Sequence, residues 1–145
     1  MPIKIQRFFR LDGAERSIFV LACLISIKHS IITTIFPMRW YTNKMGVKGN
    51  ETPFSIDEND LLFVKRVEKT MRRVQKYLPF KIKCFSAALT AKTLLKRNNI
   101  KSTIYLGVKK SNNEKMIAHA WLRCGNIIVT GKEEMNNFSP LVFFS

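Results

Sequence analysis

Cys84 and His119 are the two residues whose types and surroundings favour chemistry. Cys84 directly follows Lys81-Ile82-Lys83 and opens a segment with helical periodicity. The positive end of a helix and nearby lysines stabilise a thiolate, the nucleophilic form of cysteine. The free N–H groups of the first helical turn can also hold a developing oxyanion. Because an imidazole is a suitable base for activating a thiol, the pair indicates acyl transfer by a Cys–His dyad.

Whether the two side chains meet depends on the face of a sheet that carries His119. Residues 116–124 alternate as a strand does, so His119 shares one face with Trp121 while Ala120 points to the other. The thiol and the imidazole meet if the Cys84 helix packs on the His119 face. Trp121 is then either a core aromatic or a wall of the site. A structural role competes for both dyad residues, since a lone cysteine is commonly a small core residue.

The remaining cysteines and histidine are predicted to be structural. Cys23 lies in an apolar helix and Cys124 faces away from His119, so both are expected as core thiols. His29 ends an apolar run and is expected at the surface. Three widely spaced cysteines without a C-x-x-C motif indicate free thiols in a reducing cytoplasm. Two histidines without ligand spacing predict no metal site.

The periodicity of the chain predicts an α+β fold, with helices first and an antiparallel sheet after them. Helical spacing covers residues 14–36, 55–78 and 84–98. Strand patterns cover residues 103–109, 116–124, 127–130 and 138–144. A capping box at Ser55-Ile56-Asp57-Glu58 is expected to open the second helix. Gly125-Asn126 predicts a hairpin turn, and Pro140 places the last strand at an edge of the sheet.

A chain of 145 residues is predicted to form a single domain. It divides into an N-terminal helical region (1–41), a linker or mobile loop rich in turn residues (42–54) and a core (55–145). The apolar run at residues 18–27 is shorter than the ~20 residues that span a bilayer. Acidic residues ahead of this run do not fit a signal peptide. We interpret it as part of a buried amphiphilic helix, with a peripheral membrane contact as the minor alternative.

The chain carries 25 basic and 10 acidic residues, a net charge of +15. This excess indicates an anionic partner, which is nucleic acid, a lipid surface or an acidic polypeptide. Nucleic acid is the least favoured, because the sequence has no groove-reading motif and no aromatic–basic interleaving on its strands. Four cations lie on one face of the second predicted helix, and we call this face the basic stripe. We expect the basic stripe to bind an acidic partner. The basic stripe consists of Lys65, Lys69, Arg72 and Lys76.

Four stretches between residues 84 and 122 stand in a distinctive order. They are Cys84-Phe85-Ser86-Ala87-Ala88-Leu89, the segment 94–102, Leu106-Gly107-Val108 and Ala118-His119-Ala120-Trp121-Leu122. Their order and spacing resemble the transglutaminase-like superfamily of cysteine enzymes. More narrowly, they resemble the lasso peptide biosynthesis B2 proteins, which are leader peptidases. The resemblance covers roughly residues 60–131 and implies a transglutaminase-like, papain-like core, with the Cys-bearing helix packed on an antiparallel sheet.

The resemblance implies roles for individual residues. Cys84 corresponds to the nucleophile and His119 to the general base. The family places an aspartate that orients the histidine where this chain has Gly131. The third catalytic member is therefore missing or supplied by a neighbour. The candidates close in sequence are Thr130, Glu133 and Glu134.

The activity that the resemblance implies is removal of the leader from a ribosomally synthesised lasso peptide precursor, through a Cys84 thioester and without a cofactor. The implied partners are the precursor peptide at its leader–core junction, a small leader-binding recognition protein, and an ATP-dependent cyclase resembling asparagine synthetase. The basic stripe is then expected to dock the leader or a partner protein. The alternative is a catalytically inactive peptide-binding or partner-binding module of the same fold, which the Gly131 departure supports.

Overall fold

The structure is a computed structural model that describes the backbone of residues 2–145 and the side chains from residue 6 onward. Helices come first along the chain: α1 (Pro2–Phe9), α2 (Gly13–Ile35), α3 (Thr42–Met45), α4 (Glu58–Tyr77) and α5 (Cys84–Lys96). Strands follow: β1 (Thr103–Lys110), β2 (Met116–Cys124), β3 (Ile127–Thr130) and β4 (Ser139–Phe144). Short 3-10 turns lie at Met38–Trp40 and Met135–Asn137. The predicted α+β class is confirmed.

The four strands form one antiparallel sheet in the order β3-β2-β1-β4. Pro140 lies in the edge strand β4, as predicted, where its missing N–H leaves no gap in a central ladder. Gly125 adopts a left-handed φ of 57° in the β2–β3 hairpin. β3 is short, and its last pair with β2 joins Leu122 to Thr130. The first half of β2 therefore has a sheet neighbour on one side only.

The two faces of the sheet differ in what covers them. The inner face packs on α4 and α5 and contributes Ile104, Ala120, Leu122 and Cys124 to the hydrophobic core. The outer face carries Tyr105, His119, Trp121 and Arg123, which contact one another. Arg123 is buried on this face, where it donates to the carbonyls of Thr52 (2.7 Å) and Gly125 (2.6 Å).

For the two helices that flank the site, the predicted start of α4 differs from the structure, whereas the predicted end of α5 agrees with it. α4 begins at Glu58 and not at the predicted Ser55, because Asp57 is the residue with extended cap geometry. Its buried side includes Val67, Met71 and Val74. α5 ends as predicted near Asn98-Asn99. Asn99 takes a left-handed φ of 58°, and the N–H of Ile100 closes the helix on the Leu95 carbonyl.

Residues 42–54, predicted as a linker or mobile loop, are held against the sheet. The segment begins with α3, in which Met45 is fully buried. Val47 and Ser145 exchange two backbone hydrogen bonds, of 2.7 and 3.2 Å. Thr52 is buried and bonds through its hydroxyl to Thr103 at 2.7 Å. Turn residues set the backbone path of this segment, and a few buried contacts hold it against the sheet. The turn residues alone did not predict those contacts.

α2 is a single helix that is buried on one side only. Only Ile18, Ala22 and Ser26 are buried, and they lie on the side that packs against α4 and α5. The opposite side faces outward with large aliphatic residues. The interpretation as a buried amphiphilic helix therefore holds for one side, whereas the apolar residues of the other side, which that interpretation did not predict to be exposed, are not covered.

Candidate active site

A cleft of about 700 Å³ lies where α4, the start of α5, the first half of β2 and the segment after β3 come together. Cys84 and His119 both line it. So do Gln75 and Phe138, neither of which was singled out from the sequence. The cleft therefore gathers the two predicted catalytic residues from elements that are far apart in the chain.

Cys84 is the first residue of α5 and is partly buried. The residue before it, Lys83, makes no side-chain cap. The first bond of the helical ladder runs from the N–H of Ala87 to the Lys83 carbonyl, at 3.0 Å. The N–H groups of residues 84–86 thus precede the ladder. This end of α5 supplies the donors that an oxyanion next to the thiol requires.

His119 is fixed by one of its two ring nitrogens. Its Nε2 lies 2.9 Å from the carbonyl oxygen of Gly131, and the side chain is only 7% exposed. Because a carbonyl can only accept, Nε2 donates, so the neutral ring keeps its lone pair on Nδ1. The rings of Phe138 and Trp121 lie 5.0 and 6.0 Å from the imidazole centroid. The ring is thereby held in the tautomer in which Nδ1 can act as a base.

The condition under which the sequence predicts that thiol and imidazole meet, packing of α5 on the His119 face, is not met. α5 packs on the inner face, against Ala120, Leu122 and Cys124, whereas His119 projects from the outer face with Trp121. The cleft still reaches both residues, at the first half of β2, where that strand does not pair with β3. Within the described part of the chain, no hydrogen bond joins Cys84 to His119.

The group that orients His119 is a backbone carbonyl and not a side chain. Gly131 has a left-handed φ of 78°, and a Cβ there would lie 2.6 Å from the Ala120 carbonyl oxygen. An aspartate therefore does not fit at this position. Thr130 is buried, and its hydroxyl lacks a hydrogen-bond partner among the described residues. The other two candidates, Glu133 and Glu134, are exposed residues that line the cleft.

Trp121 does not line the cleft. It is buried behind His119 and stacks on Tyr105, with centroids 5.5 Å apart and planes 6° from parallel. The aromatic wall of the cleft is Phe138 instead. Gly107 makes this packing possible, since a Cβ on it would lie 2.7 Å from the Trp121 ring. Trp121 packs beside the histidine and does not contribute to the cleft surface.

All four residues of the basic stripe are exposed on α4. Arg72 pairs with Glu68 at 2.6 Å, and Lys69 lies 3.7 Å from Glu15. Arg72 and Glu68 also line the cleft. The stripe is therefore continuous with the cleft, and two of its four charges have acidic partners.

The other thiols are set apart from this chemistry. Burial raises the pKa of Cys124 to about 11, and burial also raises the pKa of Cys23. Both remain protonated at neutral pH, in agreement with their predicted role as core thiols. Among the residues that the structure describes, no group of three or more His, Cys, Asp or Glu side chains is arranged to hold a metal ion.

The comparisons with known proteins agree with this architecture. Residues 38–143, more than two thirds of the chain, match the family model of the transglutaminase-like superfamily. Neither the comparison with curated proteins nor the comparison with solved structures found a match. The matched region contains α4, α5, most of the sheet and the whole cleft, including Cys84 and His119. The chain belongs to the transglutaminase-like superfamily.

Proposed function

We propose that the protein is a cysteine peptidase that removes the leader from a ribosomally synthesised lasso peptide precursor. The observation that carries the proposal is the shared cleft, which holds Cys84 at the uncapped start of α5 and His119 on β2. Superfamily membership supports cysteine chemistry at this position. The lasso peptide substrate is supported by the sequence resemblance of residues 84–122 to the B2 leader peptidases.

The reaction follows from the groups in the cleft. The Cys84 thiolate attacks the scissile carbonyl, and the N–H groups at the start of α5 hold the resulting oxyanion. The protonated imidazole of His119 gives its proton to the leaving amine, which leaves a thioester on Cys84. His119 then takes a proton from water as the water attacks the thioester, releasing a carboxylate and the free thiol. The step requires Nδ1 and Sγ to come within hydrogen-bond reach once peptide occupies the cleft.

The route of the substrate is proposed from the charges around the cleft. An acidic leader that lies along the basic stripe reaches the cleft at Arg72, which belongs to both. Lys65 and Lys76 make no ion pair among the described side chains, so they are the stripe residues open to a new partner. A small leader-binding recognition protein and an ATP-dependent cyclase complete the proposed pathway, since removal of the leader does not by itself close the ring.

The proposal is tested with a lasso precursor, its leader-binding protein and purified enzyme, with leader release followed by mass spectrometry. We expect Cys84→Ala to abolish cleavage and His119→Ala to lower its rate by at least about 100-fold. Cys23→Ala is the matched control, because Cys23 is also a free, partly buried thiol but lies outside the cleft. That variant is expected to cleave at the wild-type rate.

Cleavage that survives Cys84→Ala would contradict the proposed nucleophile. A second experiment traps the acyl enzyme by acid quenching after a single turnover. We expect a mass increase on Cys84 equal to the acyl fragment on the leader side of the scissile bond. The adduct should be lost on treatment with hydroxylamine, which cleaves thioesters.

A peptide-binding module without catalytic activity is the second candidate. The placement of His119 on the face opposite α5 favours it, as does the lack of a hydrogen bond between His119 and Cys84 in the described structure. This candidate predicts that precursor binds wild type and Cys84→Ala with the same affinity and remains intact with both. Cleavage by wild type alone would eliminate it.

A further inference from the structure

The outward side of α2 is an exposed apolar surface that the peptidase chemistry does not use. Its residues recur at intervals of three or four and so form one row along the helix. We call this the α2 row: Val20, Leu24, Ile27, Ile31 and Ile35. Leu24 is 61% exposed, Ile31 52% and Ile35 65%. A contiguous apolar surface of this kind marks a site of interaction with a protein or a membrane.

The helix is fixed to the domain near both ends. Glu15 pairs with Arg73 of α4 at 3.4 Å, and the Thr33 hydroxyl bonds to the Ser86 hydroxyl of α5 at 2.8 Å. By length and hydropathy α2 could cross a membrane, with a mean hydropathy of 2.0. Crossing would break both contacts and expose the apolar residues of α4 and α5 beneath it. An in-plane orientation keeps both contacts and covers only the α2 row.

The charges around the α2 row identify what covers it. No acidic residue occurs between Glu15 and Glu51, a stretch that includes Arg16 and Lys28. At 100° per residue, Arg16 and Lys28 lie beside the α2 row, one on each side. Lys28 is exposed, whereas the Arg16 guanidinium also donates to the carbonyls of Phe9 and Leu11. A row of aliphatic residues bordered by cations and by no carboxylate among the described residues 16–50 matches the boundary between acyl chains and anionic headgroups. An acidic protein partner would need apolar residues at the centre of its interface, whereas a lipid surface supplies both components.

Aromatic residues extend the apolar surface at the end of α2. Phe36 follows the α2 row directly and stacks on Trp40, with centroids 5.4 Å apart. Trp40 is 66% exposed, which is unusual for the largest side chain. Tryptophan prefers the interface between headgroups and acyl chains, where its ring is buried and its N–H stays hydrated. This position therefore fits a helix that lies flat on a bilayer.

From the α2 row, its flanking cations and Trp40, we infer that the protein binds peripherally to anionic membrane surfaces, with α2 lying in the membrane plane. The aliphatic side chains enter the acyl boundary by about 5–10 Å. The catalytic cleft is formed by α4, α5 and the sheet, so it remains outside the lipid contact. The inference is independent of the proposed peptidase activity.

Sedimentation with vesicles tests the inference. We expect the full chain to pellet with vesicles of phosphatidylcholine and phosphatidylglycerol, and to do so much less with phosphatidylcholine alone or in 0.5 M salt. Replacing both Leu24 and Ile31 by Gln is expected to weaken partitioning at least about tenfold. The matched control replaces Leu62 and Leu141 by Gln. These two leucines are 70% and 72% exposed but lie on α4 and β4, away from the α2 row.

Fluorescence gives an independent readout. Trp40 emission is expected to shift to the blue on addition of anionic vesicles, and Trp40→Phe should remove the shift, because Trp121 is already buried. Equal partitioning of the Leu24/Ile31 variant and wild type would overturn the inference. So would wild-type protein that stays in the supernatant. Light scattering without lipid gives a third outcome. If wild type is a dimer and the Leu24/Ile31 double variant is a monomer, the α2 row binds a second copy of the chain, and the membrane inference is overturned.

Discussion

The two histidines of this chain occupy contrasting environments. His119 has a hydrogen-bond acceptor on one nitrogen and a cleft beside it. His29 lies on α2 at a second cavity of about 560 Å³, and its Nδ1 is buried without a partner among the described residues. The cations lining that cavity are Lys28, Lys44, Lys92, Lys96 and Arg97, and no carboxylate lines it. His29, expected at the surface, is therefore half-buried beside this cavity.

The difference shows that the orientation of a histidine ring and its charge are controlled by separate means. The Gly131 carbonyl selects the tautomer of His119 without adding a full charge. Burial, with added repulsion from Lys28 and Lys44, lowers the pKa of His29 to about 4. The same cavity lowers the pKa of Lys92 to about 8, through burial and the nearby Lys96. His29 is thus held neutral by its surroundings and receives no orientation from them.

Breaking the anchor of His119 is expected to have the largest effect. Gly131→Ala should lower the free energy of unfolding by about 3 kcal/mol, because the new Cβ meets the Ala120 carbonyl in addition to the cost of a left-handed φ. Gly49→Ala is the matched control. Gly49 has nearly the same φ, 77°, but nothing within 4 Å of an added Cβ. That variant should lose only about 1 kcal/mol. Equal losses in urea denaturation would contradict the steric account.

Acid is expected to destabilise the fold through His29. Its pKa is lower in the folded state, about 4, than the ordinary 6.5, so the unfolded chain binds the proton more readily between these values. The stability from neutral His29 is present above pH 6.5 and is lost as the pH falls toward 4. For this partly exposed ring the loss is on the order of 1 kcal/mol after allowance for solvent screening.

His29→Gln provides the reference for this measurement, since glutamine does not titrate. Unfolding free energies of both proteins at pH 7 and pH 4.5 isolate the contribution of the imidazole from that of the carboxylates. A difference between the two proteins that does not change with pH would show that His29 is protonated as easily in the folded state as in the unfolded chain.

The smallest expected effect concerns the cations beside His29. Lys44→Gln removes one of the two cations that repel a proton from His29. The NMR titration midpoint of His29 should rise by roughly 0.3 pH units, since burial remains the main cause. Lys48→Gln is the control, because Lys48 does not line the cavity. An unchanged midpoint in Lys44→Gln would show that Lys44 does not contribute, which leaves burial and Lys28 as the causes of the lowered pKa.

Local patterns predicted the elements well, and contacts between distant elements account for the failures. The strands and the hairpin followed from alternation and turn residues, which act over a few residues. Alternation defines two faces of β2 but does not say which face a helix covers. A signal was nevertheless present, because small residues on the inner face (Ala118 and Ala120) match the small residues of α5 (Ala87 and Ala88). Two surfaces of small residues can pack closely.

The sequence predicted part of the candidate site and missed its wall residue Phe138. Cys84 and His119 do line one cleft, as the resemblance led us to expect. The sequence candidates for a third member, Thr130, Glu133 and Glu134, all carry a hydroxyl or a carboxylate. A backbone carbonyl has no signature in the sequence, apart from the glycine whose left-handed φ aims it. Likewise, the short length of β3 decides where the cleft opens, and strand ends are weakly encoded.

Because the partner of His119 belongs to the main chain, no replacement of a side chain at residue 131 can delete the acceptor itself. Only a different path of the polypeptide after β3 can do so. This arrangement hides the anchor from any comparison that scores residue identity, since a glycine looks like the loss of an aspartate. The glycine is required here because a Cβ at residue 131 would meet the Ala120 carbonyl oxygen and the Cβ of Trp121.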